Sequence, residues 1–347
     1  MSDFRSDTVT KPSAAMRGAM LNAAVGDDVY GEDPAVNALE SSISKALGFD
    51  AGLYGVSGTQ TNLLGLMAHC QRGDEVIVGQ QAHTYKWEGG GMAVLGSIQP
   101  QPILQQADGT IALTDIEAAI KPDDFHYAKT KLIALENTWG GRVLPLDYFP
   151  KMKALANARG LLTHLDGARL FNAAIANNTD LSHAQIMDNA RTICASFNSV
   201  SICLSKGLGA PVGALLLGDA DFIKRARRLR KMIGGGMRQA GMIAAAGQYA
   251  LDNNLCRLSD DHRRAKQLAA ALKLASHGRL EIEAPQTNIV WAKPAAADAE
   301  ALFAHLYSHG IKAGGKPSIQ RWVLHLDISD DDVAAATEAV AAFYRQR

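Results

Sequence analysis

The chain of 347 residues is 47% hydrophobic and 20% charged, which is typical of a globular protein with a large core. Its 35 basic and 35 acidic residues balance, so net charge gives no reason to bind nucleic acid or an anionic membrane. No apolar run reaches the roughly 18 residues of a membrane helix. The polar start MSDFRSDTVT is unlike a signal peptide, and the four cysteines form no C-x-x-C pair. We therefore expect a soluble cytoplasmic protein with reduced thiols and without nucleic-acid or membrane partners.

Short apolar runs alternate with longer amphipathic stretches over the first two thirds of the chain. GLYGV predicts a strand and SGTQTNLLGLMAHC the helix after it, and DEVIVG, AVLGS and KLIALENT predict further strands. YFPKMKALANARG predicts a helix that ends at Gly160, and LLTHLDGARLFNAAIAN a strand leading into a helix. TICASFNSVSICLSK and GALLLG predict two more strands. This alternation predicts an α/β fold with a mostly parallel sheet and helices on both faces.

The pattern changes after GALLLG. FIKRARRLRKM predicts a basic helix, which in a neutral chain is more typical of a solvated or interface face than of a nucleic-acid site. The remaining segments alternate between helix and strand and predict a compact α/β unit. We therefore predict a large domain over residues 1–250, with an N-terminal arm over about 1–30, and a small C-terminal α/β domain over 251–347.

Polar residues follow several predicted strands. In an open parallel sheet, ligands bind beyond the carboxyl ends of the strands, so these residues are expected to meet in one crevice. They are Ser57-Gly58-Thr59, His83, Glu136-Asn137, Asp166 and Ser205-Lys206.

Three of these groups predict a particular chemistry together. SGTQTN opens a helix and predicts either a phosphate site or a plain N-cap. Asp166 ends an apolar run and predicts either a partner for a protonated heterocyclic nitrogen or an internal salt bridge with Arg169. Lys206 lies among small residues before a glycine turn, as a desolvated Schiff-base lysine would. Together they predict a pyridoxal 5′-phosphate (PLP) pocket, and no His/Asp/Glu spacing predicts a catalytic metal.

Several long motifs, taken in order, resemble those of the low-specificity L-threonine aldolases. This resemblance implies the PLP-dependent transferase fold type I and cleavage of L-threonine, L-allo-threonine and related β-hydroxy-α-amino acids, phenylserine among them, to glycine and an aldehyde. It also implies a homotetramer, a dimer of dimers with active sites at the dimer interface. The motifs are RSDTVT, VGDDVYGEDPAVNALE, SGTQTN, VLGSIQPQPI, LENT, HLDGARLFNA, SVSICLSKGLGAPVG and RKMIGGGMRQAG.

The resemblance assigns roles at the cofactor. Lys206 matches the lysine that holds PLP covalently, and Asp166 matches the carboxylate on its ring nitrogen. Gly58 and Thr59 match the phosphate-binding turn, and His83 matches the histidine that stacks on the ring.

The resemblance also assigns residues to the substrate carboxylate. Ser6, Arg169 and Arg321 match the groups that hold it, and Arg169 is expected to contact the cofactor as well. The segment around Arg321, GIKAGGKPSIQRWVLHLDIS, departs from the family's usual spelling.

Four further positions match family residues. Arg238 matches an arginine that reaches the phosphate from the neighbouring subunit, with Lys231 nearby. His126 and Tyr30 match residues close to the substrate's β-hydroxyl. His126 or His83, acting directly or through water, is the expected catalytic base.

One departure and two alternatives remain open. Trp139 and Gly140 stand where relatives commonly carry His and Asn, so Trp139 is either a rim or interface aromatic or a determinant of side-chain preference. The chemistry could instead be that of another fold type I lyase, a β-eliminating one, or of an aminotransferase. A PLP-binding regulator would need a helix-turn-helix domain, for which the chain has no room.

Overall fold

The computed structural model describes residues 1–176, 178 and 180–345. Its strands are β1 Ser2–Phe4, β2 Ala51–Gly55, β3 Asp74–Gly79, β4 Gln99–Ile103, β5 Lys129–Glu136, β6 Leu162–Gly167, β7 Ser199–Cys203, β8 Ala214–Gly218, β9 Leu280–Ile282, β10 Ile289–Pro294, β11 Ile311–Lys316 and β12 Ile319–Val323. Its α-helices are α1 Ala14–Leu21, α2 Pro34–Leu47, α3 Gly58–His69, α4 His83–Lys86, α5 Gly91–Val94, α6 Leu113–Ala119, α7 Tyr148–Ala158, α8 Leu170–Ile175, α9 His183–Cys194, α10 Ala220–Met232, α11 Gly241–Asn254, α12 Leu258–Ala275, α13 Ala299–Ser308 and α14 Asp330–Arg345. None of the helices within these ranges is long and apolar enough to cross a membrane.

A seven-stranded sheet with the order β2-β8-β7-β6-β5-β3-β4 forms the centre of the fold. Strands β4, β3, β5, β6 and β7 run parallel, and β8 runs antiparallel to both β7 and β2. Alternate residues of β5 enter different cores, because side chains point to opposite faces of a strand. Ile133 and Leu135 pack with α2, α7 and α9, whereas Leu132 packs with α3 and α5. The predicted mostly parallel sheet with helices on both faces is therefore confirmed.

A second sheet of five strands has the order β1-β11-β12-β10-β9. It packs with α12, α13 and α14 around Trp322, which is fully buried against Phe4 at 5.4 Å between ring centroids. The first strand of this sheet comes from the N-terminus, with Ser2 opposite Ile311. We propose the division into a large and a small domain near residue 250, with the first residues of the expected arm belonging to the second sheet.

One predicted strand was wrong, and the strand predicted over TICASFNSVSICLSK begins only at Ser199, since its first three residues end α9. AVLGS contains the end of the short helix α5 and a turn, in which Ser97 has a φ of +52°. The strand is the following segment, β4, which carries two prolines. Proline has no N–H for a strand ladder and is tolerated at a sheet edge, and β4 is the edge strand.

Candidate active site

Lys206 follows β7 at the carboxyl edge of the central sheet. Its carbonyl accepts hydrogen bonds from the Gly209 amide at 2.8 Å and from Thr10 Oγ1 at 3.1 Å, and its side chain is half-buried. Gly209 has a φ of +80°, a conformation that glycine adopts without steric penalty. The turn therefore holds the backbone of Lys206 in place.

Asp166 lies at the end of β6 and is 1% exposed. Its Oδ1 accepts the Ala168 amide at 3.0 Å, but its Oδ2 is buried without a hydrogen-bond partner. The alternative of a salt bridge to Arg169 is wrong, because Arg169 pairs with Asp7 instead. A buried carboxylate oxygen needs a donor, and the protonated ring nitrogen of PLP fits this one.

The first turn of α3 is the expected phosphate site. Ser57 caps the helix, and its Oγ accepts the Gln60 amide at 3.2 Å. The amides of Gly58 and Thr59 come too early in the helix to have an intrahelical acceptor. Free amides at the positive end of a helix dipole bind phosphate well, so the cap and the anion site coexist.

His83 opens α4 and joins a compact group of titratable side chains. Its amide donates to Glu136 Oε2 at 2.8 Å, and its Nδ1 lies 2.9 Å from Glu88 Oε1. Side-chain nitrogen or oxygen atoms of His83, Glu88 and Asp166 all lie within 4.8 Å of one another. Sequence reasoning missed Glu88, because EGGG after HTYKW has no motif of its own.

The charges in this group shift one another's pKa values. The hydrogen bond to Glu88 raises the pKa of His83 above its ordinary value. Burial, and then the negative charge of Asp166, raise the pKa of Glu136 to about 7. Perturbed values of this kind are typical of a catalytic crevice.

The predicted site for the substrate carboxylate contains both predicted arginines. It also contains an aspartate, Asp7, which sequence reasoning missed. Arg169 holds Asp7 through Nε at 2.8 Å and a terminal nitrogen at 2.6 Å. Burial opposes ionisation of Asp7, but the charge and hydrogen bonds of Arg169 outweigh it and lower its pKa to about 2. Arg321 donates to the Arg5 carbonyl at 3.0 Å, while its Nε is buried and unpartnered. Two guanidinium groups against one carboxylate leave an unbalanced positive charge that suits a substrate carboxylate.

Ser6 precedes Asp7 in sequence and caps the short turn that carries it. Its Oγ accepts the Thr8 amide at 3.2 Å. Its hydroxyl hydrogen stays available to an anion, since an accepting oxygen keeps its own donor.

Four of the predicted site residues are exposed on their own chain. Tyr30 is 76% exposed, and Arg238 pairs on the surface with Asp27 at 3.0 Å. Lys231 is exposed near the end of α10. His126 is exposed and pairs with Asp124 in the turn before β5, whereas the crevice lies at the other end of that strand. Eight strand residues at about 3.3 Å each separate the two ends by about 26 Å. His126 therefore cannot act at the crevice of its own chain.

Trp139 packs in a turn of its own. Its amide and carbonyl pair with Arg142, whose guanidinium lies 5.2 Å from the indole centroid. A Cβ on Gly109 would come within 3.0 Å of the indole, so the ring rests directly on that glycine. These packing contacts explain the position of the Trp139 indole.

The site has the features of a fold type I PLP-dependent enzyme: Lys206 at the sheet edge, the unpartnered Asp166 oxygen and the free helix amides. Residues 3–296 match the beta-eliminating lyase family. The chain is 48% identical to the low-specificity L-threonine aldolase of Escherichia coli strain K12, over 99% of this chain and 98% of that protein. It is 35% identical to the Saccharomyces cerevisiae low-specificity L-threonine aldolase, over 98% of this chain and 85% of that protein.

Solved structures show the same fold. A threonine aldolase of Leishmania major matches with a TM-score of 0.78 at 21% identity, covering 100% of this chain and 99% of that chain. A putative L-allo-threonine aldolase of Listeria monocytogenes matches with a TM-score of 0.75 at 20% identity, covering 97% of both chains. This chain belongs to the low-specificity L-threonine aldolase family, and its cofactor is PLP.

Proposed function

We propose that this enzyme cleaves L-threonine, L-allo-threonine and related β-hydroxy-α-amino acids, phenylserine included, to glycine and an aldehyde. The observation that carries the proposal is the grouping of the unpartnered Asp166 Oδ2, Lys206 and the arginine pair at one sheet edge. Family membership supports carbon–carbon cleavage over other PLP chemistry.

When bound, PLP supplies an electron sink for the electrons of the Cα–Cβ bond. Lys206 would hold the cofactor covalently. Asp166 Oδ2 would accept a hydrogen bond from the ring nitrogen and so favour a proton at that atom. Gly58 and Thr59 would bind the phosphate through their amides.

Arg169, Arg321 and Ser6 bind the substrate carboxylate and set the angle of the Cα substituents. This orientation aligns the Cα–Cβ bond for cleavage, which is worth several powers of ten in rate. His83 Nε2 takes the proton of the β-hydroxyl, since Nδ1 is engaged by Glu88. The Cα–Cβ bond then breaks, the aldehyde leaves, and Cα takes up a proton to give glycine.

We propose further that the enzyme is a cytoplasmic homotetramer, a dimer of dimers with active sites at the dimer interface. The exposed Tyr30, Arg238 and Lys231 lie on one surface formed by the segment before α2 and the end of α10, as interface residues would. The 93% exposed Phe125 beside His126 is an apolar group suited to a subunit contact. On this proposal His126, Arg238 and Tyr30 act at the crevice of a neighbouring subunit.

Subunit mixing tests the shared sites. Lys206→Ala and Arg238→Ala proteins should each be inactive, and mixed tetramers should regain activity, because some crevices then receive both residues intact. Light scattering gives the subunit number. Hybrids without activity would contradict the shared sites.

The first experiment on the activity is an absorption spectrum with product analysis. Wild type should show a band at about 420 nm that Lys206→Ala lacks. Threonine should yield glycine and acetaldehyde. Pyruvate with ammonia would instead indicate a β-eliminating lyase, and amino transfer to a keto acid an aminotransferase. Wild type without the band after added PLP would overturn the proposal.

A further inference from the structure

A chain of buried polar side chains runs from Glu88 into the core behind the crevice. Asn62 Nδ2 lies 2.9 Å from Glu88 Oε1, and Asn62 Oδ1 lies 3.3 Å from His164 Nε2. His164 Nδ1 lies 2.8 Å from the Ser199 hydroxyl, which in turn lies 2.7 Å from His69 Nε2. Asn62, His164 and Ser199 are at most 1% exposed. The chain crosses from α3 to β6 and β7, so these elements hold it rigidly.

The hydrogen bonds along this row of buried side chains fit one assignment of donors and acceptors. An ionised Glu88 can only accept, so Asn62 must present its amide N–H to it and its carbonyl to His164. His164 therefore donates from Nε2 and accepts the Ser199 hydroxyl at Nδ1. Ser199 then accepts from His69 Nε2. His69 Nδ1 is left as a buried acceptor without a partner, as this direction requires.

Both core histidines stay neutral around neutral pH. Burial lowers the pKa of His69 to about 3 and that of His164 to about 4. The donor and acceptor roles along this row of side chains therefore stay the same over the pH range in which His83 titrates.

We propose that Asn62 and His164 are positioning residues, which hold the Glu88 carboxylate against Nδ1 of His83 so that Nε2 of His83 keeps its lone pair for the substrate. Nε2 of His83 makes no hydrogen bond to any residue in the described part of the chain. The role of that lone pair rests on the proposed function, in which His83 takes the β-hydroxyl proton. The positioning itself rests only on the hydrogen bonds.

Glu88 needs this support because of where it lies. Its side chain is 4% exposed. Burial raises its pKa, the hydrogen bond from His83 lowers it, the charge of Asp166 raises it again and the Asn62 amide opposes the rise. Without the Asn62 donor, Glu88 would take up a proton more readily and lose its hold on His83 as an anion.

The other charged groups that face His83 act less directly. Asp166 raises the pKa of His83 and Lys206 lowers it, after the larger effects of the Glu88 hydrogen bond and of burial. Glu136 binds the main-chain amide of His83. Among these groups, only Glu88 forms a hydrogen bond with the imidazole ring.

The test measures the titration of His83 in the cofactor-free protein. Diethyl pyrocarbonate modifies neutral imidazole, so the pH dependence of labelling at His83, read by peptide mass spectrometry, gives its midpoint. The exposed His277, which has no role in the proposed site, serves as an internal standard in the same sample.

The decisive variants are His164→Gln and His164→Asn. Glutamine places its amide near the position of Nε2 and can still donate to Asn62, whereas asparagine reaches only the position of Nδ1. Both remove the ring, so a purely structural role would affect them alike. Asn62→Leu removes the donor to Glu88 outright.

We expect the His83 midpoint to fall by about one pH unit in His164→Asn and Asn62→Leu, and to stay at the wild-type value in His164→Gln. The labelling of His277 should be the same in wild type and in every variant. Equal His83 midpoints in all variants, with differences only in thermal stability, would overturn the proposal. If Asn62→Leu does not fold, the His164 pair decides.

The activity profile separates this inference from the proposed function. In the PLP-loaded variants, the acid limb of kcat/KM should move with the labelling midpoint. A labelling shift without movement of that limb would support the positioning and overturn His83 as the base. Absence of threonine cleavage in wild type would overturn the proposed function and leave the labelling result intact.

Discussion

The roles of the polar side chains depend on which of their atoms lack partners. Asp166 and Arg321 each keep one buried atom without a hydrogen bond, whereas Arg169 and Asp7 satisfy each other. Unsatisfied buried polar groups cost about 1 to 3 kcal/mol each, so a ligand that supplies the partner gains that energy on binding. These two atoms lie where we propose that the cofactor and the substrate bind.

Asp166→Ala should lower kcat for threonine by several orders of magnitude while some PLP still binds. The ring nitrogen would lose the carboxylate that keeps it protonated, and with it most of its capacity as an electron sink. Steady-state kinetics and the cofactor absorbance measure the two effects separately. Asp147→Ala, in an exposed ion pair with Lys151, is the control. Near-normal turnover in Asp166→Ala would remove the assignment.

Arg321→Ala should raise KM for L-threonine about 10- to 100-fold, with a smaller effect on cofactor absorbance. A charge-assisted hydrogen bond to a carboxylate is worth about 1.5 to 3 kcal/mol, which corresponds to that range. Initial rates over a range of threonine concentrations measure it, and Arg321→Lys should recover part of the loss. An unchanged KM would mean that Arg169 and Ser6 suffice.

Helix α3 contributes to the proposed site from its first turn and from its middle. Its first turn carries the amides that we propose bind phosphate, and Asn62 one turn later donates a hydrogen bond to Glu88. Gly65 lies in the helix interior, where glycine costs about 1 kcal/mol relative to alanine. It is needed because a Cβ there would lie 2.7 Å from His164 Cε1 and 3.1 Å from its Nδ1.

Gly65→Ala should therefore destabilise the protein by about 1 to 3 kcal/mol despite better helix propensity, since the methyl group would displace the His164 ring. Gly18→Ala in α1 is the matched control, because a Cβ there meets nothing within 4 Å. It should stabilise by about 0.5 to 1 kcal/mol. Urea denaturation measures both, and effects of the same sign would contradict the packing argument.

At the scale of the whole molecule, a buried histidine joins α8 and α12, which lie on opposite sides of the proposed domain boundary in the sequence. His262 of α12 accepts a hydrogen bond from Asn172 of α8 at 3.2 Å and is fully buried. Burial lowers the pKa of His262 to about 3. The unfolded chain, with an ordinary histidine pKa near 6.5, binds a proton that the folded protein does not. Stability from this group is full above pH 6.5 and is lost as the pH falls toward 3.

His262→Gln should flatten the acid side of the stability profile. Glutamine can still accept from Asn172 but does not titrate, so each pH unit below 6.5 should cost the variant about 1.4 kcal/mol less than wild type. Urea denaturation at pH 7 and pH 5 measures the difference. Parallel profiles would mean that His262 is protonated in the folded protein.

Much of the fold follows from local patterns. Apolar runs, glycine stops and caps predicted the helix after SGTQTN, the helix ended by Gly160 and the strand into Asp166, and the structure confirms each. The same patterns could not separate a short helix from a strand in AVLGS, since a run of that length fits both. Element type was thus predictable where a run was long or ended at a clear signal.

By itself the sequence determined which chemistry to expect: Lys206 before a glycine turn, Asp166 at a strand end and the helix start SGTQTN together predicted a PLP pocket. Only the tertiary structure decided the partners: Asp7 with Arg169, β1 with β11, and Asn62 with His164 beside Glu88. Each of these pairs is separated by tens to hundreds of residues. Their contacts depend on how sheets and helices pack, which no local pattern encodes. The same packing places His126 away from the crevice of its own chain.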